Sequence, residues 1–156
     1  MVEIRGFKYE DFESISEFVL QAHKRESNYN PHLKTDREAH TFLQAWLSES
    51  ISTGGKILIA EAEGEAIGFA WGWIIHKPPE LFKVDHIGYI YQVYVKDEGK
   101  REIKEKLLTE LIKYFKSKGI EYIITDCYTN DEETVRLYEK MGFKPQALTL
   151  IRRIEQ

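Results

Sequence analysis

Cysteine is nearly absent from this chain. Cys127 is the only one among 156 residues, which excludes an internal disulfide and leaves no zinc-ligand cluster. An excess of positive charge is missing too. Lys and Arg number 22 against 26 Asp and Glu, a net charge of −4, so the basic stripe that phosphate backbones require is not there and a nucleic-acid partner is not expected. The acidic balance mildly favours cationic small molecules such as amines. Long apolar runs are lacking as well. The longest, Ile57 to Ala60 and Ala66 to Ile75, fall short of a membrane span, and the N-terminus has no charged-then-apolar signal layout, so a soluble, cytoplasmic protein with no membrane partner is expected. Lysine and glutamate dominate the charged residues while methionine and cysteine are scarce, a pattern also found in heat-adapted proteins.

What is present has the length of one domain, expected to run over residues 1–156. Val2 to Phe7 alternates like a first strand, and Phe12, Ile15, Val19 and Leu20 repeat at amphipathic-helix spacing. Residues 24 to 34 carry charges, Asn28, Asn30 and Pro31 and read as a loop. A second helix is expected from about Thr35, with Ala39, Phe42, Leu43, Trp46 and Leu47 facing inward, ending at Thr53-Gly54-Gly55. Lys56 to Ala62 and Ala66 to His76 read as a hairpin about Glu63-Gly64-Glu65, closed by Pro78 and Pro79. Asp85 to Val95 fits a fourth strand, Glu102 to Lys118 a long helix stopped by Gly119, and Ile120 to Tyr128 a fifth strand. Phe143 to Ile154 alternates enough for one or two closing strands around Pro145. Two early helices, a hairpin, then strand, helix, strand, helix make an α/β (α+β) plan rather than a bundle or a sandwich.

The most informative stretch is Thr129 to Phe143, TNDEETVRLYEKMGF. Asn130 fits a helix cap with Glu133 reaching back to its amide; Val135, Tyr138 and Met141 lie near one face, and Gly142 suits a left-handed exit. A helix-face tyrosine is commonly a packing aromatic. The LYEKMGF pattern, however, resembles the helix ending in LYEKxGF of the GNAT superfamily of N-acetyltransferases, and the order of elements is similar across nearly the whole chain. That resemblance implies the GNAT acyl-CoA N-acyltransferase fold, a central mixed, mostly antiparallel sheet flanked by about four helices. It implies acetyl-CoA as co-substrate and a small-molecule or peptide amine as acceptor, in a monomer or homodimer. Tyr138 would protonate the departing coenzyme A thiolate. The fourth and fifth strands would splay, with backbone amides around Val93, Tyr94 and Val95 binding pantetheine, and Asp131, at the start of the Tyr138 helix, would be a further coenzyme contact.

Members of that family usually follow the fourth strand with Q/R-x-x-G-x-G/A, whose glycines let backbone amides and a helix N-terminus approach two phosphates. Here the segment reads VKDEGKREIKEKLL, one residue short, with the motif positions on Gly99, Glu102 and Lys104. Glu102 would set a carboxylate where anions should bind. Lys96, Lys100, Arg101, Lys104 and Lys106 against Asp97, Glu98, Glu102 and Glu105 leave a local excess of one positive charge. The cofactor-binding candidates here are therefore Gly99, Lys100, Arg101, Glu102, Ile103 and Lys104, with side-chain cations standing in for lost glycines. The other reading is a solvated helix start with Glu102 and Lys106 paired at i,i+4. A GNAT-fold binding or interaction module that has lost pyrophosphate binding is the alternative function.

Direct attack by an amine also needs a base. The glutamate that relatives often carry on the fourth strand is replaced by Tyr91 and Gln92, and Asp126 on the fifth strand is the substitute by position. His86 and His76 have the right ordinary pKa range but read more simply as strand-end surface. No metal site is expected. Phe69, Trp71, Trp73 and Ile75 share one strand face, most simply as core, with Trp71 or Trp73 as the candidate wall of an acceptor pocket. Gly72 on the other face suits a bulge or a close backbone approach. The loop holding His23, Glu26, Tyr29 and His32 corresponds to the segment that covers the acceptor in relatives.

Overall fold

The computed structural model describes residues 1–78, 83–97 and 101–155. In chain order they form β1 (Val2–Gly6), a 3-10 turn (Tyr9–Asp11), α1 (Phe12–Ser27), α2 (Arg37–Ser52), β2 (Lys56–Ala62), β3 (Glu65–His76), β4 (His86–Val95), α3 (Arg101–Ser117), β5 (Ile123–Thr125) and α4 (Glu132–Lys140). The five strands make one sheet in sequence order. All pairs are antiparallel except β4 with β5, which is parallel, so the sheet is mixed and mostly antiparallel.

The alternation of each strand sends its apolar residues to two cores. On one face Phe69 and Trp71 pack with Ile15, Phe18 and Val19 of α1 and Leu43 and Leu47 of α2. On the other, Ala70, Ile90 and Val95 pack with Leu107, Leu111 and Phe115 of α3 and Leu137 and Tyr138 of α4. The β2–β3 hairpin turns at Glu63 and Gly64, both with positive φ, the two-residue turn that matches strand twist. Gly119 and Gly142 leave α3 and α4 in the left-handed conformation expected of them.

Five local expectations are corrected. First, α1 runs on to Ser27, because the Lys24–Ser27 segment continues its hydrogen bonding and docks against α4 instead of leaving as a loop. Second, Phe42 is 63% exposed; the core of α2 is carried by Leu43, Leu47 and the half-buried Trp46, and Asp36 rather than Thr35 marks its start by accepting the Ala39 N–H at 3.1 Å. Third, β5 is only Ile123–Thr125, because its flanks leave the sheet instead of tracking β4. Fourth, Phe143 to Ile154 forms no strand: it pairs with no strand among the described residues, and alternation without a partner edge makes no ladder. Fifth, the α4 cap is Asp131, not Asn130. Asp131 accepts from the Thr134 N–H at 3.3 Å, while Asn130 donates to the Tyr29 carbonyl.

Candidate active site

The site is built where two parallel strands part. β4 and β5 pair only from Gly88 opposite Ile123 to Ile90 opposite Thr125. Beyond Ile90, β4 continues through Val95 paired to β3 alone. The register shift between Trp71 and Gly72 puts an extra residue, Tyr91, into β4 at this point. Gly72 allows it: a Cβ there would run into the Tyr89 carbonyl and meet the Phe115 ring at 3.4 Å, so both the bulge and the close approach expected of that glycine are present.

The hydrogen-bond phase of β4 decides which amides face the fork. The Lys96 N–H donates to the Ile67 carbonyl at 2.8 Å, so the alternation of an antiparallel ladder turns the Tyr94 N–H toward β3 and the Val93 and Val95 N–H groups toward the gap. Two of the three expected amides are thus available on the open edge, and the Tyr94 amide is spent inside the sheet.

Tyr138 lies on the α3/α4 side of this fork, buried and edge-on to Phe143 with ring centroids 5.3 Å apart. Thr125 lies close enough to the phenol to influence it, and its Oγ1 donates to the Ile90 carbonyl at 2.9 Å, so Tyr138 sits beside the last paired residues of β4 and β5 at the point of divergence. Burial pushes the phenol up to about 12, against the smaller opposing effect of Thr125. It therefore keeps its proton throughout the neutral range.

On the α1/α2 side, the last turn of α1 is clamped across the fork. Arg25 Nη1 donates to Asp131 Oδ2 at 3.0 Å and Nη2 to Oδ1 at 3.4 Å; Asn30 Nδ2 donates to the Tyr128 hydroxyl at 3.0 Å. Burial would raise the Asp131 carboxyl, but its bonds to Arg25 and Thr134 outweigh that and hold it below the ordinary carboxylate range. Its oxygens cap α4 and grip α1, a structural duty beside the coenzyme contact expected of it. Glu26 follows Arg25 on the same turn. Burial raises its carboxyl above the usual range, against the lowering effects of His23, the Gln92 side chain and Arg25.

Asp126 sits just past β5, exposed, and accepts the Tyr89 hydroxyl at 2.8 Å. Burial and this bond push Tyr89 well above its ordinary value. His76 and His86 face each other at the opposite end of β4, Nδ1 to Nδ1 2.6 Å apart, remote from the fork. Trp71 is fully buried with its Nε1–H on Ser50 Oγ at 2.8 Å and is core; Trp73 is half-buried beside Tyr89 and Tyr91.

At the start of α3, Ile103 is core and Lys104 is buried. Arg101 Nε approaches Glu105 Oε1 at 3.5 Å and Lys140 Nζ reaches the same oxygen at 2.8 Å, so the pairing runs through Glu105 rather than between Glu102 and Lys106. Glu102 is exposed. Gly99 and Lys100 lie outside the described residues. Open depressions of about 690 and 590 Å³ lie along this helix, sharing Glu102, Glu105 and Lys106, away from Tyr138. Sequence analysis named Glu26 only as one of four residues in the loop expected to cover the acceptor, and gave no orientation for Gln92; the missing strand glutamate was the other hint that an acid was needed elsewhere.

The Acetyltransferase (GNAT) family model matches residues 17–143. Among solved structures, the chain is similar to a GCN5-related N-acetyltransferase from Ralstonia eutropha JMP134, at 19% identity and TM-score 0.79, covering 98% of this chain and 99% of that one. A tetramutant of the BH1408 protein from Bacillus halodurans superposes at TM-score 0.81 and 20% identity, over 97% and 99% of the two chains. A predicted acetyltransferase from Clostridium acetobutylicum, crystallised with acetyl-CoA, gives TM-score 0.72 and 20% identity, over 98% and 96%. No curated protein is similar enough to match.

Proposed function

Because the chain belongs to the GNAT acetyltransferase family, we propose that it transfers an acetyl group from acetyl-CoA to a primary amine, small-molecule or peptide, by direct attack, with Tyr138 as general acid. The observation that carries this reading is a buried, protonated phenol beside Thr125 at the mouth of a parallel-strand fork, with the Val93 and Val95 N–H groups turned to its open edge. The binding of acetyl-CoA by the similar Clostridium protein supports the choice of coenzyme.

The donor set fits such a group. Val93 and Val95 N–H groups would hold the pantetheine arm as a strand partner does, and the first-turn amides of α3 at Arg101, Glu102 and Ile103, which have no acceptor within the helix, would face the phosphates with Arg101 adding charge. When bound, acetyl-CoA supplies an activated acyl carbon and a thiolate leaving group. Tyr138 would give its proton to that sulfur and recover one from solvent. Val93 or Val95 N–H would receive the carbonyl oxygen as charge builds on it. Asp126, hydrogen-bonded to Tyr89, would steer a cationic acceptor toward the fork.

The test pairs calorimetry with kinetics. Acetyl-CoA is expected to bind the coenzyme-stripped protein, and its dephospho and pantetheine-only analogues more weakly. Tyr138→Phe should slow acetyl transfer by about a hundredfold with coenzyme affinity nearly unchanged. Equal rates for both forms at saturating substrate remove Tyr138 from the mechanism, and no binding at millimolar coenzyme favours the non-catalytic module.

A further inference from the structure

Two oxygen acceptors converge on the α1/α2 side of the fork with too few donors between them. Gln92 replaces the strand glutamate, is 4% exposed, and has neither Nε2 nor Oε1 in a hydrogen bond of ordinary geometry. A buried amide left so is costly and calls for a partner. Facing it is the Glu26 carboxylate, close enough for the Gln92 side chain to influence its charge but without a closed bond between them. The Gln92 amide can satisfy Glu26 through Nε2, and its Oε1 then still lacks a donor. An ammonium group brings N–H donors to Oε1 and to the carboxylate at once.

We propose that Glu26 is the catalytic base and that Glu26 and Gln92 together form the seat of the acceptor amine. This rests on the acetyltransferase reading above and deepens it. Glu26 lies across the fork from Tyr138, and its charge reaches Tyr138 on α4 as well as Tyr89 and Tyr91 on β4. Proton removal on one side of the split sheet and proton delivery on the other suit a reaction whose bonds form and break between them. The other charged and titratable groups around Glu26 are His23 and Arg25 on its own helix and Asp131 at the start of α4. Arg25 is hydrogen-bonded to Asp131 and acts on Glu26 through its charge.

The step balances. Glu26 takes one proton from the ammonium; the freed nitrogen lone pair forms the C–N bond to the acetyl carbon, the C–S pair goes to sulfur, and sulfur takes the Tyr138 proton. Glu26 passes its proton to water, and the nitrogen's second proton, lost as the tetrahedral adduct collapses, replaces through solvent the one that Tyr138 gave up. The net release is one proton per acetylation. A carboxylate of ordinary acidity is a poor base for an ammonium group, and the upward displacement of Glu26 by burial moves it in the useful direction.

The experiment compares wild type, Glu26→Gln and Glu26→Asp in two readouts. With tyramine and 1,4-diaminobutane as acceptor probes, Glu26→Gln is expected to lower kcat/KM by about a hundredfold and to erase the acidic limb of the pH profile, with acetyl-CoA affinity by calorimetry unchanged and partial recovery in Glu26→Asp. Retention of that limb in Glu26→Gln with a rate within threefold of wild type would overturn the proposal. The second readout needs neither coenzyme nor turnover. In protein labelled with ¹³C at the glutamate carboxyls, the resonance lost in Glu26→Gln should titrate above the other glutamates and shift on addition of 1,4-diaminobutane. A resonance that does neither rejects the amine seat, whereas a shift without acetyl-CoA binding upholds the seat and rejects the acetyltransferase reading.

Discussion

A half-buried carboxylate kept for chemistry carries a stability cost whose sign can be worked out for Glu26. Burial, the largest influence, raises its folded pKa above the unfolded value. A group so displaced contributes its stability below the unfolded pKa, about 4.3 for glutamate, and loses it as pH rises through the folded value. At pH 7 the ionised Glu26 therefore works against folding. Glu26→Gln should raise Tm at pH 7, and the gain should vanish near pH 4, where wild type carries the proton itself. Thermal unfolding at both values checks this; an equal gain at both would locate the effect in packing rather than charge. Asp131 is the counterpart on the neighbouring element. Its pairing with Arg25 and Thr134 overcomes burial, so its contribution is present at neutral pH and lost as pH falls through its depressed pKa.

At the scale of elements, the fork depends on how closely α3 presses on β4. Gly88 lies opposite Ile123 at the base of the fork, and a Cβ there would sit 2.9 to 3.1 Å from three atoms of the Phe115 ring. Phe115 is fully buried, so the ring has little room to yield. Gly88→Ala is expected to cost about 1–3 kcal/mol by overpacking, read as a lower urea midpoint. Because β4 and β5 meet over so few residues, the same substitution should weaken acetyl-CoA binding as well. An unchanged midpoint would mean that α3 can slide away from the sheet. The α1 clamp acts on the opposite face: Arg25 and Asn30 reach Asp131 and Tyr128 in the segment between β5 and α4, and Asn130 of that segment donates back to the Tyr29 carbonyl, which couples the acceptor side to the helix bearing Tyr138.

Across the whole molecule, two cores on the two faces of one sheet account for the fold, and the C-terminal segment takes no part in the sheet. Leu148, Leu150, Ile151 and Ile154 are 72%, 87%, 72% and 67% exposed. Substitution at such positions seldom moves stability by more than about 0.5 kcal/mol. Leu150→Arg is therefore expected to leave the urea midpoint of the chain nearly where it was. A marked loss would show that this segment is buried in solution. No helix among the described residues is long and apolar enough to cross a membrane.

Much of this was legible in the residues. Period-two and helical spacing located β1 to β4 and the helices, because those patterns report burial on one side of a local element. Gly64, Gly119 and Gly142 marked their turns because only the chain's own sterics are involved. LYEKMGF located Tyr138. The sequence did not determine features that depend on a neighbour in space. The alternation of residues 143–154 could not become a strand without a paired edge, and β5 ended where its partner diverged. Phe42 had the spacing of a core residue but no surface to meet. Asp131 rather than Asn130 became the cap because Arg25, more than a hundred residues away, draws it into place. Glu26 was visible only as one polar residue in an expected loop. Its apposition to Gln92 and Tyr138 through the parted strands required the tertiary fold, because distance in space and burial set its charge.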